Sequence, residues 1–376
     1  MKKRIGLITF HASHNLGSLA QTYAMQYIIS EHYGEDVTII DFSSEAQRDM
    51  YSIFPNVRNW KVMVKNTINL LFYGVFRRRY WDFQKFIIEK FKLTERCYFD
   101  DDDLRELEGK FDVLICGSDQ IWNVTCTDFH EAYFLNFDNQ ARKIAYAVSM
   151  GGRSLLEADG VDRYKTYINN FDEISVRERN GQSWVSHLTE KPVVVVADPT
   201  LLVPIEVWDG LVEDPNIDGD YIFFYGVPFS PKTYDAVADI GRKLSMPVVM
   251  LDAKSYIYRL NFLRGIKLHT GSRPQDYFGL IKNAKLVITT SFHGTIFSTL
   301  FKKDFWTITF EGTNKDDDRV ETLLDQLGLK DRFVYLENLD QVDLEKKVDY
   351  SGFDERLRPL RERSLEFLDN ALKEND

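Results

Sequence analysis

Along this chain, short unbroken apolar runs alternate with longer stretches whose apolar positions recur every three or four residues. The runs at 5–10, 37–42, 113–116, 144–148 and 193–197 have the length and composition of strands buried on both faces, and 19–31 and 155–169 have helical spacing. The pattern then restarts. Strands are expected at 221–225, 247–251, 286–289 and 305–309, separated by helical stretches at 232–244, 276–283 and 295–301. Such alternation implies parallel sheets covered on both sides, so the expected fold class is α/β, with two doubly wound halves in tandem. Pro, Gly and Asp gather in "VPIEVWDGLVEDPNIDGD" at 203–220, where no strand pattern survives, and this marks a boundary. The expected organisation is a first domain over 1–205, a second over 206–350 and a tail over 351–376. A charged amphipathic helix at 354–372 would pack back on the first domain. One stretch breaks the alternation: 60–91 reads as a single long helix within an insertion at 58–92.

Composition narrows the class. Apolar residues make up 44% and charged residues 28% of the 376, which is globular rather than disordered. A net charge of −11 repels polyanions and argues against nucleic acid as a partner. Cys97, Cys116 and Cys126 form no CxxC pair, so a reducing compartment is expected and neither a disulfide framework nor a thiolate zinc site is. No His-rich or HExxH spacing exists, and no metal is expected. The basic start "MKKRIGLITFHASHNLG" resembles a signal sequence, but its apolar run of about five residues is too short for one, so it reads as a first strand of a cytoplasmic protein. The most apolar stretch, around 69–76, stops at Arg77, Arg78 and Arg79. These arginines sit among Phe72, Tyr73, Phe76, Tyr80 and Trp81, a composition suited to an anionic membrane surface or a bound polyanion. The alternative is a helix with core aromatics and solvated arginines.

In open α/β sheets, ligands bind beyond the carboxyl ends of the strands, where helix N-termini face the crevice. After the first strand, Asn15, Gly17 and Ser18 precede a helix and form a candidate phosphate or carboxylate nest. After 113–116 comes "GSDQIWN", where Asp119 could cap a helix and Trp122 could stack on a sugar; an N-cap with a core tryptophan is the plain alternative. Arg177, in "DEISVRERN", would point into the same crevice and clamp a carboxylate or phosphate, with Glu173 or Glu178 as competing ion-pair partners. Asp198 ends a further strand near the cleft. In "ITTSFHGTIFSTLF", at 288–301, the turn "SFHG" puts His293 at the edge of the second sheet. Ser291, Gly294 and Thr295 would supply anion-binding donors around it, and histidine can exchange protons with a substrate. Lys315 and Arg319 lie beyond the next strand, near the same edge. The runs Asp316–Asp318 and Asp100–Asp103 read as helix-dipole complements rather than metal ligands.

Together, "NLGSLAQTYA", "DVLICGSDQIWN", "AYAVSMG", "SVRE", "ADPTLL" and "LVITTSFHGTIFS" resemble the polysaccharide pyruvyl transferase family over most of residues 3–335. The resemblance implies a GT-B-like fold, two Rossmann-like domains facing a central cleft. It implies phosphoenolpyruvate as co-substrate, no further cofactor, and a sugar acceptor of a capsular polysaccharide or exopolysaccharide, lipid-linked at the inner face of the membrane. The family's arginine falls on Arg177 and its histidine on His293; its lysine falls on Lys315, with Arg319 as the alternative cation. Donor contacts are then expected from Arg177, Ser291, His293, Gly294, Thr295, Lys315 and Arg319, and acceptor contacts from Asn15, Gly17, Ser18, Asp119 and Trp122. His293 and Arg177 would be catalytic. A nucleotide-sugar glycosyltransferase and a non-catalytic glycan-precursor-binding protein are the competing expectations, since this architecture serves several chemistries.

Overall fold

The computed structural model describes residues 2–226, 230–310 and 316–373. In the first half, β1 (Arg4–Ile8), β2 (Asp36–Ile39), β3 (Val113–Cys116), β4 (Arg142–Val148), β5 (Glu173–Val176) and β6 (Val193–Val195) form a parallel sheet ordered β2-β1-β3-β4-β5-β6. The second half repeats the plan with β7 (Ile222–Tyr225), β8 (Val248–Met250), β9 (Lys267–Leu268), β10 (Leu286–Thr289), β11 (Phe305–Thr309) and β12 (Phe333–Tyr335), ordered β12-β11-β10-β7-β8-β9. The central strands are unbroken apolar runs because helices cover both faces; Val113 to Cys116 are all buried. β9 and β12 have only two and three residues, too few for a periodic signal.

Each sheet reverses its direction of growth once, between β1 and β3 in the first and between β7 and β10 in the second. Crevices open at such switch points because the connecting loops diverge to opposite sides. The loops after β1, β3 and β10 therefore face one another across the molecule.

Several helices differ from expectation. Helix α1 (Leu16–Tyr27) starts before residue 19 because the Asn15 side chain caps it, accepting from the N–H groups of Gly17 and Ser18. It is followed by α2 (Glu45–Tyr51). The stretch 155–169 splits into a 3-10 turn and a helix, Leu155–Glu157 and Val161–Asn169, with Gly160 between them at φ +75°. The single helix expected at 60–91 is two, α3 (Trp60–Leu71) and α4 (Tyr73–Lys90), broken at Phe72, whose ψ of 23° leaves the helical region. Arg77, Arg78 and Arg79 do not form one outward cluster. Successive helical residues point about 100° apart, and Arg79 turns inward to donate to the Leu251 carbonyl at 2.8 Å. Further ties hold this hairpin to the second half: Tyr258 donates to Asn69, Ser272 donates to Asp82, and Phe76 packs on Ala253 and Ile257.

One apolar core runs continuously from α1 into the second half, joining Leu16 and Leu19 to Trp208, Phe278 and Phe297. The helix Phe353–Leu372 crosses back over the first sheet. Its Ser364 hydroxyl accepts from the Ala197 N–H at 2.8 Å, and its Ala371 carbonyl accepts from Arg142 at 2.8 Å. With the halves fastened at both edges, the cleft between them has a fixed floor.

Candidate active site

The loops after β1 and β3 are locked together by α1. The Gln21 side chain donates to the Thr9 hydroxyl at 2.9 Å and accepts from the Ser118 N–H at 3.0 Å, while Thr9 donates to the Ser118 carbonyl at 3.1 Å. This clamp presents Asp119 in a left-handed conformation, φ +78°, which aspartate tolerates better than most residues. Its carboxylate accepts from the Ser18 hydroxyl at 2.6 Å and lies 3.4 Å from an Arg177 nitrogen. Asp198, in the turn after β6, accepts through Oδ1 from both the N–H and the hydroxyl of Thr200, at 3.1 and 2.6 Å. Its Oδ2 faces Arg177 at 3.0 Å, the Ser118 hydroxyl at 3.2 Å and Nε2 of His293 at 3.4 Å.

His293 is the second residue of the helix Phe292–Leu300, whose cap is Ser291. It crosses to the first half through Gly17, where a Cβ would stand 2.2 Å from its Nδ1. Only glycine permits that approach. At 3.4 Å from Asp198 the His293 Nε2 is beyond good hydrogen-bond length, and it has no other partner among the described residues. Arg177 Nε and Glu178 Oε2 are likewise buried and unpartnered, 3.9 Å from each other. Clustered orphan polar atoms of this kind are rare outside functional sites.

The electrostatics follow from burial and its compensation. Burial alone would push Asp198 up, but the nearby charge of His293, then that of Arg177 and the hydrogen bonds from Thr200, hold it far below the usual carboxylate range. Burial also opposes ionisation of Asp119, and Arg177 followed by His293 overcomes it. Glu178 behaves differently: burial raises it to about 7 against the lowering pull of Arg177 and Arg319. Arg319 donates to Asp317 through two bonds of 2.7 and 2.6 Å, and both its guanidinium and that of Arg177 stand over the Phe292 ring, at 5.9 and 4.6 Å. A cavity of 290 Å³ opens over this floor between the two halves, lined by Asn15, Asp119 and Gln120 on one side and by Ser291, His293 and Arg319 on the other.

A sequence profile for polysaccharide pyruvyl transferases matches residues 15–311, most of the chain, including Asp119, Arg177, Asp198 and His293. The chain belongs to the polysaccharide pyruvyl transferase family. Among curated proteins no significant sequence match is found. Solved structures with a similar fold include a Listeria monocytogenes protein assigned as a UDP-N-acetylglucosamine 2-epimerase, with 11% identity, TM-score 0.51 and coverage of 99% of this chain and 89% of that one. Another is the UDP-GlcNAc 2-epimerase of Methanocaldococcus jannaschii in complex with UDP-GlcNAc and UDP, with 13% identity, TM-score 0.51 and coverage of 96% and 99%. At such identities the likeness concerns the fold alone, which is GT-B.

Within this pyruvyl transferase the expected site residues separate into three groups. Asn15, Asp119, Ser291, His293 and Arg319 line the cleft. Beneath it lie Gly17, which makes room for His293, Ser18, which holds Asp119, and Arg177, whose side chain is 1% exposed and committed to two aspartates. Arg177 therefore forms the floor, not an open clamp on a wall. The third group is structural. Trp122 is fully buried, stacked on Phe134 at 5.0 Å, so the expected sugar platform is a core residue. "SFHG" is no free turn: the N–H of Gly294 is bound by the Ser291 hydroxyl and that of Thr295 by the Ser291 carbonyl, so neither is an open anion donor. The Gly17 and Ser18 N–H groups are likewise taken by Asn15, which removes the expected anion nest. Lys315 lies outside the described residues. In the acidic run after it, Asp317 pairs with Arg319 and Asp318 accepts from Thr322 at 2.9 Å; no described group of three or more His, Cys, Asp or Glu side chains could hold a metal ion. Sequence reasoning missed Asp317 as the partner of Arg319 and Glu178 as a neutral-range acid, though Glu178 stands beside Arg177 in "SVRE".

Proposed function

We propose that the enzyme transfers the three-carbon unit of phosphoenolpyruvate to two hydroxyls of a hexose in a lipid-linked surface-polysaccharide repeat, closing a pyruvate ketal and releasing phosphate. The observation that carries the reading is His293: buried in the cleft wall, its Nε2 beside an ionised Asp198 and otherwise unpartnered. The imidazole delivers a proton to the enol methylene, a sugar hydroxyl attacks the resulting cationic carbon, and a second hydroxyl closes the ring as phosphate leaves. Asp198 orients the ring and complements the positive charge it carries when protonated. Arg177 is a positioning residue that keeps Asp119 and Asp198 ionised. The donor's phosphate and carboxylate are met by Arg319, released from Asp317, and by Lys315. In this reading the first half receives the acceptor and the second half the donor, and a lipid-linked acceptor brings the enzyme to the inner face of a membrane.

The test is phosphate release from phosphoenolpyruvate with a galactose- or glucose-terminated lipid-linked acceptor, with mass spectrometry of the acceptor. The expected result is a gain of about 70 Da, and a loss of about 10²–10⁴ in kcat for His293→Ala. Failure of every acceptor, with binding of a sugar nucleotide instead, would replace this reading by a nucleotide-sugar glycosyltransferase.

A further inference from the structure

Hydrophobic side chains left in water collect in one place. Of the 18 large apolar side chains that are exposed among the described residues, 12 fall between Phe54 and Ile88, so this surface is a patch rather than scatter. It peaks at the junction of α3 and α4, where Leu70, Leu71, Phe72, Tyr73 and Val75 follow one another, with Leu71 77% exposed. The inner face of the same hairpin is already occupied, since Asn69, Phe76 and Arg79 grip the second half. Packing within the chain therefore does not cover the outer face. The second half adds Leu260, Phe262 and Leu263, also exposed, two to five residues beyond the Tyr258 that donates to Asn69.

Charge decides what covers this face. Residues 58–92 hold nine Lys and Arg against two Asp and Glu, a net of +7 in a chain of net −11. Arg77 and Arg78 stand exposed next to the apolar tip, with Lys61 and Lys65 exposed on α3. Trp60 and Trp81, 67% and 56% exposed, flank the tip in the manner of interfacial anchors. A second copy of the chain would bring two such basic surfaces together, which like charge opposes. An anionic bilayer offers apolar depth to the tip and negative headgroups to its cationic collar.

We propose that the α3–α4 tip, with residues 260–263 beside it, docks the enzyme on an anionic membrane by inserting into the interface. No helix among the described residues is long and apolar enough to cross a membrane, so the attachment is peripheral. The inference rests on the proposed lipid-linked acceptor for its purpose but not for its evidence. Insertion places the membrane beside a second cavity of 670 Å³ in the first half, on whose wall Phe54 and Ile88 continue the exposed apolar surface inward past Tyr80 toward His14, next to the cleft residue Asn15.

The test is flotation of the full-length enzyme with vesicles of phosphatidylcholine alone or mixed with phosphatidylglycerol. Wild type is expected to float with the mixed vesicles, to do so less in high salt, and to lose at least tenfold in bound fraction as Leu71→Glu. Phe262→Ser with Leu263→Ser is expected to weaken it by a smaller factor. A blue shift of tryptophan emission on adding mixed vesicles reports Trp60 and Trp81 entering the interface. Wild type that stays in the aqueous fraction, or a Leu71→Glu variant that floats equally well, overturns the proposal. So does a Leu71→Glu variant that only converts a dimer to a monomer. Turnover of phosphoenolpyruvate with a water-soluble oligosaccharide is expected to be the same for wild type and Leu71→Glu. If neither protein turns over while wild type still floats, the proposed reaction fails and the docking face stands.

Discussion

In the cleft, Arg177 is buried and Arg319 half-buried, and both are bound to aspartates; on the α3–α4 hairpin, Arg77 and Arg78 stand in solvent beside exposed apolar side chains. The difference follows from the cost of removing a charge from water. A buried guanidinium persists only with carboxylates around it, so the cations of the cleft are neutralised from within. The exposed arginines need no such partner: Arg78 has only a 3.9 Å pair with Asp82. The same residue type is thus neutralised by internal partners in one region and left in solvent in the other.

The largest effect separating the two regions is expected from Arg177→Met, which leaves Asp119 buried without its main cation and Asp198 without its 3.0 Å guanidinium partner. A loss of about 3–5 kcal/mol in denaturant unfolding is expected, together with loss of turnover. A variant that unfolds like wild type would mean the cleft charges are not interdependent. Next is Gly17→Ala. Its Cβ cannot coexist with His293 in place, so kcat is expected to fall about 100-fold from a displacement of about 1 Å or more, with a stability loss of about 1–3 kcal/mol. Unchanged kcat would show that His293 does not work from this position.

A subtler effect lies in pH. Glu178 titrates near 4.5 when unfolded and about 7 when folded, so the native state holds its proton more tightly. Its contribution to stability is present below pH 4.5 and lost as pH rises through about 7. Glu178→Gln is expected to remove a decline on the order of a few kcal/mol across that window, read from unfolding at successive pH values. A profile identical to wild type would show that Glu178 ionises normally. The smallest effect belongs to the hairpin: Arg77→Ser with Arg78→Ser is expected to change stability by no more than about 0.5 kcal/mol, because the Arg78–Asp82 pair is long and exposed. A larger loss would show the hairpin arginines to be structural and erase the contrast.

What was legible in the sequence was what depends on neighbours along the chain. The buried strands read clearly because parallel strands covered on both faces are continuous apolar runs, as in "DVLIC". Position after a strand placed Asp119, Asp198 and His293 near the crevice without showing that they would meet. The misreadings share one cause. Trp122 and Gly294 have side chains and N–H groups suited to a ligand, and nothing local says that Phe134 and Ser291 already occupy them. The unbroken helix at 60–91 failed for a related reason: apolar residues throughout "INLLFYGVF" carry a helical signal on either side of Phe72, while the break itself depends on how each helix docks.

By itself, then, the sequence determined the class of fold, the two halves, the family and which loops border the cleft, since each is written in local periodicity and short motifs. Tertiary structure alone decided that Arg177 lies under the cleft, that His293 reaches through Gly17 to Asp198, that Arg319 is held by Asp317 and that Arg79 turns inward while Arg77 does not. Those outcomes turn on which buried charges find partners and which surfaces find cover. Both are settled only when segments distant in the chain are brought together and water is excluded between them.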